Sequence, residues 1–286
     1  MTARWLVTGA GGMLGQDLVA VLGTAVTAAG HAELDITDAA AVRRAVAGHD
    51  VVVNTAAYTD VDGAETDEAT ATALNGQAVA GLARACAESG ARLIQLSTDY
   101  VFAGDATTPY REDSPTAPLN AYGRSKLVGE QAAHRTLPDT GYVVRTAWLY
   151  GAHGRNFVAT MLRLAGERDT VDVVDDQRGQ PTWTGALARQ LVALGAAALA
   201  GQAPPGIYHG TASGETTWYG LARAVFAAAG HDPDRVRPTT SDRFPRPAPR
   251  PAYSVLGHDR WKLAGVAPQP DWRETLTEAL ADWTVP

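Results

Sequence analysis

Three residues could act together on a carbonyl group: Thr98, Tyr122 and Lys126. Tyr122 and Lys126 lie four apart in 120-NAYGRSKLVGEQAA-133, so on a helix they share a face. A lysine ammonium beside a phenol favours the phenolate and lowers the tyrosine pKa. A phenol tuned toward neutrality can serve as a general acid or base. Thr98 closes the apolar run 92-RLIQLST-98. A hydroxyl at the carboxyl edge of a parallel sheet reaches the crevice where ligands bind. A carbonyl held between Thr98 and Tyr122 would be polarised and protonated on oxygen while hydride attacks its carbon. Tyr-x-x-x-Lys alone is also what an exposed helix produces by chance, so its meaning depends on the elements that position it.

Those elements alternate. Short apolar runs at 4–9, 25–29, 51–56, 92–98 and 142–148 are separated by helical patterns such as 39-AAAVRRAVAG-48 and 76-GQAVAGLARACAESG-90. Strands joined by helical crossovers predict an α/β fold, a Rossmann-like doubly wound parallel sheet with both faces covered. After about residue 150 the rhythm loosens. Helices are expected at 155–168, 184–200 and 271–283, strands at 171–175 and 206–210, and a Pro/Arg-rich loop at 233–251. Asp271 is a candidate N-cap, with Glu274 completing a capping box. The expected division is a larger lobe over 1–150 plus about 183–209, and a smaller α/β lobe over 151–182 and 210–286.

The first crossover carries Gly9, Gly12 and Gly15 between a strand and a helix. Glycines there let the backbone approach a pyrophosphate, which helix-terminal N–H groups then bind. Gly9, Gly12, Met13, Leu14 and Gly15 are therefore candidate cofactor contacts. The family resemblance set out below implies that Asp35 and Ile36 border the adenine, with a plain turn as the competing reading of Asp35. Small residues in 54-NTAA-57 offer room where a dinucleotide crosses the sheet edge, which adds Ala56, Ala57 and Tyr58. The second strand ends in Ala28-Ala29-Gly30-His31, with neither an acid for a ribose 2′-hydroxyl nor an Arg for a 2′-phosphate. The reading leans to NADPH, with NADH accepted.

The bulk properties narrow the class. The 286 residues carry a net charge of −7, which argues against nucleic acid as a partner and makes any anion site a local one. The single cysteine, Cys86, forms no intrachain disulfide. No metal site is expected, because the histidines are scattered and no Cys/His cluster forms. No run is long and apolar enough for a membrane span. The expectation is a cytoplasmic protein with a small-molecule substrate.

The G-x-x-G-x-x-G spacing, with the upstream Thr and the Tyr-x-x-x-Lys stretch, resembles the short-chain dehydrogenase/reductase superfamily. Within it the chain resembles the dTDP-4-dehydrorhamnose reductase family from end to end. The matching stretches are 54-NTAAYTDVDGAE-65, 96-LSTDYVFAG-104, 119-LNAYGRSKLVGE-130, 145-RTAWLYG-151, 155-RNFVATMLRLA-165, 175-DDQRGQPT-182 and 250-RPAYSVL-256. Sugar-nucleotide dehydratases read Thr-Asp-Glu where this chain reads Thr98-Asp99-Tyr100, so reduction is favoured over water elimination.

The resemblance implies NAD(P)H-dependent reduction of the C4 keto group of dTDP-4-dehydro-L-rhamnose. Thr98, Tyr122 and Lys126 would be catalytic, and Tyr122 and Lys126 would also meet the cofactor. Thr98, Asp99, Tyr100, Trp148, Asn156, Gln180 and Arg250 would lie on the substrate side. Thr59, Val61 and Asp62 fall in a loop beside both ligands. Arg250 is chosen from a cluster with Arg235, Arg237, Arg243 and Arg246, a solvated loop being the bland reading of the rest. Some members dimerise through magnesium. Asp17 and Glu278 could stand for two ligands, but nothing near Ala186-Leu187 supplies a third, so a monomer or weak dimer is expected. Two alternatives stay open: a sister reductase of another dTDP-4-keto-deoxysugar, and a non-catalytic NADP-binding regulatory subunit.

Overall fold

The computed structural model describes residues 3–283. In chain order its first part contains β1 (Trp5–Thr8), α1 (Met13–Leu22), β2 (Val26–Ala29), α2 (Ala39–Val46), β3 (Val51–Asn54), α3 (Glu68–Thr72), α4 (Ala78–Ser89), β4 (Arg92–Thr98), α5 (Ala121–Thr136) and β5 (Gly141–Thr146). Then follow β6 (Leu149–Tyr150), α6 (Phe157–Glu167), β7 (Val171–Val174), β8 (Arg178–Gly179), β9 (Thr182–Trp183), α7 (Thr184–Leu199) and β10 (Gly206–His209). The last part holds β11 (Thr216–Thr217), α8 (Trp218–Ala228), β12 (Val236–Thr239) and α9 (Trp272–Asp282).

Six strands form one parallel sheet in the order β10-β5-β4-β3-β1-β2. The strands β1, β3 and β5 are buried along their whole length, which is why they read as unbroken apolar runs. One face packs on α1 and α7 through Leu14, Leu18, Leu187, Leu191 and Leu194. The other packs on α2 and α4 through Val42, Val46, Val79 and Leu82. A separate apolar cluster joins α6, α8 and α9 through Val158, Met161, Leu221, Phe226 and Leu276. Cys86 is buried in the second of these cores, and burial pushes its thiol up to about 12.

The chain runs outward from β1 to β2, then crosses to the other side of β1 to make β3. The loops after β1 and β3 therefore open a crevice at the carboxyl edge, where doubly wound sheets bind ligands. Gly9, at φ 70°, fits there because a Cβ would lie 2.5 Å from the Ala56 nitrogen.

Two expectations need correction. The segment 233–251 is not all loop: Val236–Thr239 pairs in parallel with β7. Pro238 is tolerated because this small sheet has only two strands, so an edge needs no N–H from it. No element is expected over 211–232, yet Thr217 caps α8, whose Leu221, Ala222, Val225 and Phe226 face the core. The aromatic, strand-favouring start Trp218-Tyr219 masks that stripe in the sequence.

Candidate active site

The glycine loop leads straight into α1, whose N-cap, Gly12, brings no side-chain bond to the first turn. The N–H groups of that turn therefore stay available for an anion. Gly12 N–H donates to Gly9 O at 2.9 Å, and a Cβ on Gly15 would lie 2.3 Å from the same oxygen. Beside it is a cavity of about 600 Å³, lined by Gly12, Met13, Leu14 and Gly15 and by Thr98, Tyr122 and Lys126. The volume suits a small-molecule ligand. The uncapped helix end, the open space around Gly11 and the missing Cβ atoms fit a dinucleotide pyrophosphate.

The structure brings Thr98, Tyr122 and Lys126 to one wall of that cavity. Thr98 ends β4. Its hydroxyl donates to Asp99 Oδ1 at 2.9 Å and accepts from Tyr100 N–H at 3.1 Å. Tyr122 stands in the first turn of α5, whose N-cap Asn120 accepts from Gly123 N–H at 2.8 Å. Gly123 lets that turn approach Tyr100, since a Cβ there would lie 2.2 Å from the Tyr100 carbonyl oxygen. The Tyr100 and Tyr122 rings meet edge-on, with centroids 6.1 Å apart.

The expected effect of Lys126 on Tyr122 is not what this structure shows. Lys126 Nζ donates to Leu96 O at 2.7 Å, and burial pulls its pKa down to about 8. The phenol of Tyr122 is raised above its ordinary value, chiefly by burial and then by the Asp99 carboxylate, with a Thr98 hydrogen bond acting the other way. Tyr122 is therefore a protonated phenol at neutral pH, the form a proton donor needs.

Asp99 is 3% exposed, and its Oδ2 has no hydrogen-bond partner among the described residues. Burial pushes its carboxyl up to about 6, against hydrogen bonds from Ser254, Thr98 and backbone N–H groups. The folded state thus holds a proton on Asp99 at pH values where the unfolded chain has lost it. The burden on stability is absent below about pH 4 and complete above about pH 6. Asp99→Asn is expected to stabilise the fold by on the order of 2 kcal/mol near pH 8. The gain should vanish by pH 4 in thermal melts across that range; an equal gain at both ends would remove titration as its cause.

Other expected residues fall in different places. Ala57 lines the cavity with Thr59 and Val61. Ala56 N–H bonds Asn54 Oδ1, and Tyr58 N–H bonds Asn75 Oδ1. Asp35 is a turn residue: its carboxylate accepts from Thr37 N–H and Thr37 Oγ1, which holds it below the usual carboxylate range. Ile36 is buried among the α2 and α4 core residues.

Trp148 takes φ 47°, the one positive φ of a non-glycine residue among the described residues. Its ring stacks on Trp218 at 3.6 Å, and both line the cleft. The amides of Asn156 and Gln180 are already engaged. Asn156 caps α6 and bonds Gly151 O. Gln180, 2% exposed, bonds Leu256 N–H and O and the Thr211 hydroxyl. Neither lines the cleft: Asn156 closes backbone next to it in the chain, and Gln180 ties distant segments together.

A second cavity of about 400 Å³ adjoins the first, and Tyr100 and Trp218 line both. Arg250, Arg246, Phe157 and Phe244 complete much of its wall. Arg250 lies 3.0 Å from Asp62. Arg235 is structural, donating to the Ala165 and Asp169 carbonyls.

Sequence reasoning misses two groups. Asn75 sits in a π-turn at Ala73–Gln77 and ties Tyr58 to Ser125, one residue before Lys126. Glu33 curls back so that its Oε2 accepts from Gly30 N–H at 2.9 Å, directly after β2. The point where a Gly30 Cβ would stand is 2.8 Å from that oxygen and 3.9 Å from Gly11 N. An acid therefore does stand at the end of β2, three residues later in sequence than a strand-end position would put it.

The fold and the cleft together define a nicotinamide-dependent enzyme of the short-chain dehydrogenase/reductase class. The chain belongs to the dTDP-4-dehydrorhamnose reductase family: the family model described as the RmlD substrate binding domain matches residues 3–285. It is 61% identical to the dTDP-4-dehydrorhamnose reductase of Streptomyces griseus, covering 97% of this chain and 93% of that one. It is 52% identical to the dTDP-4-keto-6-deoxy-D-glucose reductase of Streptomyces niveus, covering 98% and 97%. The Bacillus anthracis dTDP-4-dehydrorhamnose reductase, solved in complex with NADP, superposes with a TM-score of 0.92. It is 35% identical, with 99% of this chain and 100% of that one covered.

No helix among the described residues is long and apolar enough to cross a membrane, and no group of three acid, histidine or cysteine side chains gathers there. Asp17 lies 3.8 Å from His153, while Glu278 bonds Arg189 at 2.8 Å.

Proposed function

We propose that the chain reduces the C4 keto group of dTDP-4-dehydro-L-rhamnose to give dTDP-L-rhamnose, as a monomer or weak dimer in the cytoplasm. One observation carries the reading: a continuous cleft runs from the glycine loop, past Thr98 and Tyr122, to a pocket bearing Arg250. Its two ends suit a dinucleotide pyrophosphate and a sugar-nucleotide diphosphate, and the proton donor stands between them. The proposed division of labour gives 1–150 with about 183–209 to the dinucleotide, and 151–182 with 210–286 to the sugar nucleotide.

Thr98 and Tyr122 hydrogen-bond the keto oxygen, and Tyr122 passes its phenolic proton to that oxygen as charge develops. Lys126, with N–H donors to spare beyond the one on Leu96 O, would hold a ribose hydroxyl and so orient the nicotinamide end. Trp148 and Trp218 offer an apolar stacked face to the deoxysugar. The bound dinucleotide supplies the hydride. Arg250 takes the diphosphate.

The assay follows oxidation of the reduced nicotinamide, with the substrate generated from dTDP-glucose by a separate dehydratase and epimerase. Turnover that requires the epimerase supports the reading. Turnover without it assigns the chain to a sister reaction of the kind named for the S. niveus relative. Absence of turnover despite cofactor binding supports a regulatory subunit, which the reductase names of the relatives do not favour.

The lean to NADPH rested on an acid-free end of β2, and Glu33 alters it. A carboxylate beside the glycine loop suits a ribose 2′-hydroxyl and repels a 2′-phosphate. Both donors are expected to bind, and Glu33→Gln should improve NADPH relative to NADH by roughly tenfold. Titration of each dinucleotide by protein fluorescence measures the ratio; an unmoved ratio removes Glu33 from the choice.

A further inference from the structure

The loop between β3 and α3 touches three parts of the site. Thr59 and Val61 line the larger cavity. Glu65 Oε1 accepts from Ala121 N–H at 2.7 Å, one residue before Tyr122. Asp62 reaches across to the segment 246–250, which follows β12 in the chain and whose Arg246 and Arg250 line the smaller cavity. Asp62 Oδ1 lies 3.0 Å from Arg250 Nη1 and accepts from Ala248 N–H at 3.2 Å, while Oδ2 is 3.8 Å from Arg246.

The geometry at Arg250 is asymmetric. Its Nη1 meets the Asp62 carboxylate at 3.0 Å and donates to the Ala248 carbonyl at 2.9 Å. Among the described residues, Nε and Nη2 have no protein partner. Those two nitrogens form the edge that grips a phosphate with two parallel bonds. The Arg250 Cζ sits 6.0 Å from the Tyr100 ring centroid, and Asn120 Nδ2 holds the Pro249 carbonyl at 3.0 Å. The side chains of Asp62 and Arg250 are 25% and 20% exposed, so this ion pair is shielded more than an ordinary surface pair.

Resting on the reading of Arg250 as the diphosphate group, we propose that Asp62 is its positioning residue: it occupies the Nη1 corner and leaves the Nε–Nη2 edge for the diphosphate. Asp62 does not touch the substrate and acts only through the arginine. A carboxylate that instead competed with the diphosphate for Arg250 would have the opposite effect when neutralised.

The test is calorimetric titration of dTDP into wild type, Asp62→Asn, Arg250→Ala and the double variant, with kcat and KM measured alongside. Asp62→Asn is expected to weaken dTDP and raise the sugar-nucleotide KM by roughly tenfold. Its kcat, nicotinamide affinity and melting temperature should stay unchanged. The double variant should bind dTDP no more weakly than Arg250→Ala alone, because the two residues act as one unit. Unchanged or tighter dTDP binding in Asp62→Asn overturns the inference, and so do fully additive losses. If Arg250→Ala binds dTDP as wild type does, or wild type does not bind it, the underlying reading fails and the inference falls with it. A crippled Arg250→Ala beside a neutral Asp62→Asn overturns the inference alone.

Discussion

Tyr122→Phe is expected to lower kcat by about 10²–10⁴-fold while leaving nicotinamide binding near the wild-type level. The change deletes one hydroxyl and keeps the ring that meets Tyr100 edge-on at 6.1 Å. The phenol is the group best placed to donate. It lines the cleft with Thr98, and burial and the neighbouring Asp99 carboxylate keep it protonated at neutral pH. The same environment makes it a poor base until a cofactor and substrate alter the site. Steady-state kinetics with a parallel dinucleotide titration separates the two effects. Near-normal turnover would move the proton to another donor, with Asp99, whose carboxyl is pushed up to about 6, the first to examine.

Arg145→Met is expected to destabilise the fold by roughly 3–5 kcal/mol. Arg145 lies on β5 and Glu130 on α5, and their side chains are 2% and 4% exposed. Two bonds join them, Nε to Oε1 at 2.9 Å and Nη2 to Oε2 at 2.7 Å. The guanidinium also stands 4.8 Å from the Phe102 ring centroid. Removing the arginine leaves the buried carboxylate without its bonded partner and with only the Lys126 ammonium to offset it, which costs far more than the pair contributes when intact. Because α5 carries Tyr122 and Lys126, the pair also seats those two cleft residues against the sheet. Thermal melts of Arg145→Met should fall by on the order of 10 °C. A second change, Glu130→Leu, should recover much of that loss by removing the stranded charge. A single-variant melt close to wild type would show that Glu130 takes up a proton or reaches water cheaply, and the ion pair would then be incidental to the fold.

Several features were legible because they depend on neighbours along the chain. The strand, glycine turn and helix at 5–22 follow from apolar runs, from Gly9 at φ 70°, and from an uncapped helix start. The alternation of strands and helical stripes was enough for a parallel sheet. The spacing of Tyr122 and Lys126 placed them on one turn of α5, and Thr98 at the end of an apolar run placed it at the sheet edge. Each of these is a property of local backbone geometry and side-chain period.

What each polar group bonds to was settled only by packing. The sheet order sets α5 beside β4, so the ammonium of Lys126 finds the Leu96 carbonyl and not the phenol four residues earlier. Glu33 reaches back to Gly30 because the chain turns sharply after β2. The amide of Gln180 closes the backbone of Leu256, which lies nearby only in the folded chain. Asp62 meets Arg250 because the two loops converge beside the smaller cavity that Arg250 lines. The sequence by itself determined the class of fold and singled out Thr98, Tyr122 and Lys126 as the candidate reacting groups, since both are encoded in short-range pattern. The tertiary structure decided their protonation, partners and orientation, because burial and long-range contacts set those quantities and neither has a period that can be read along a chain.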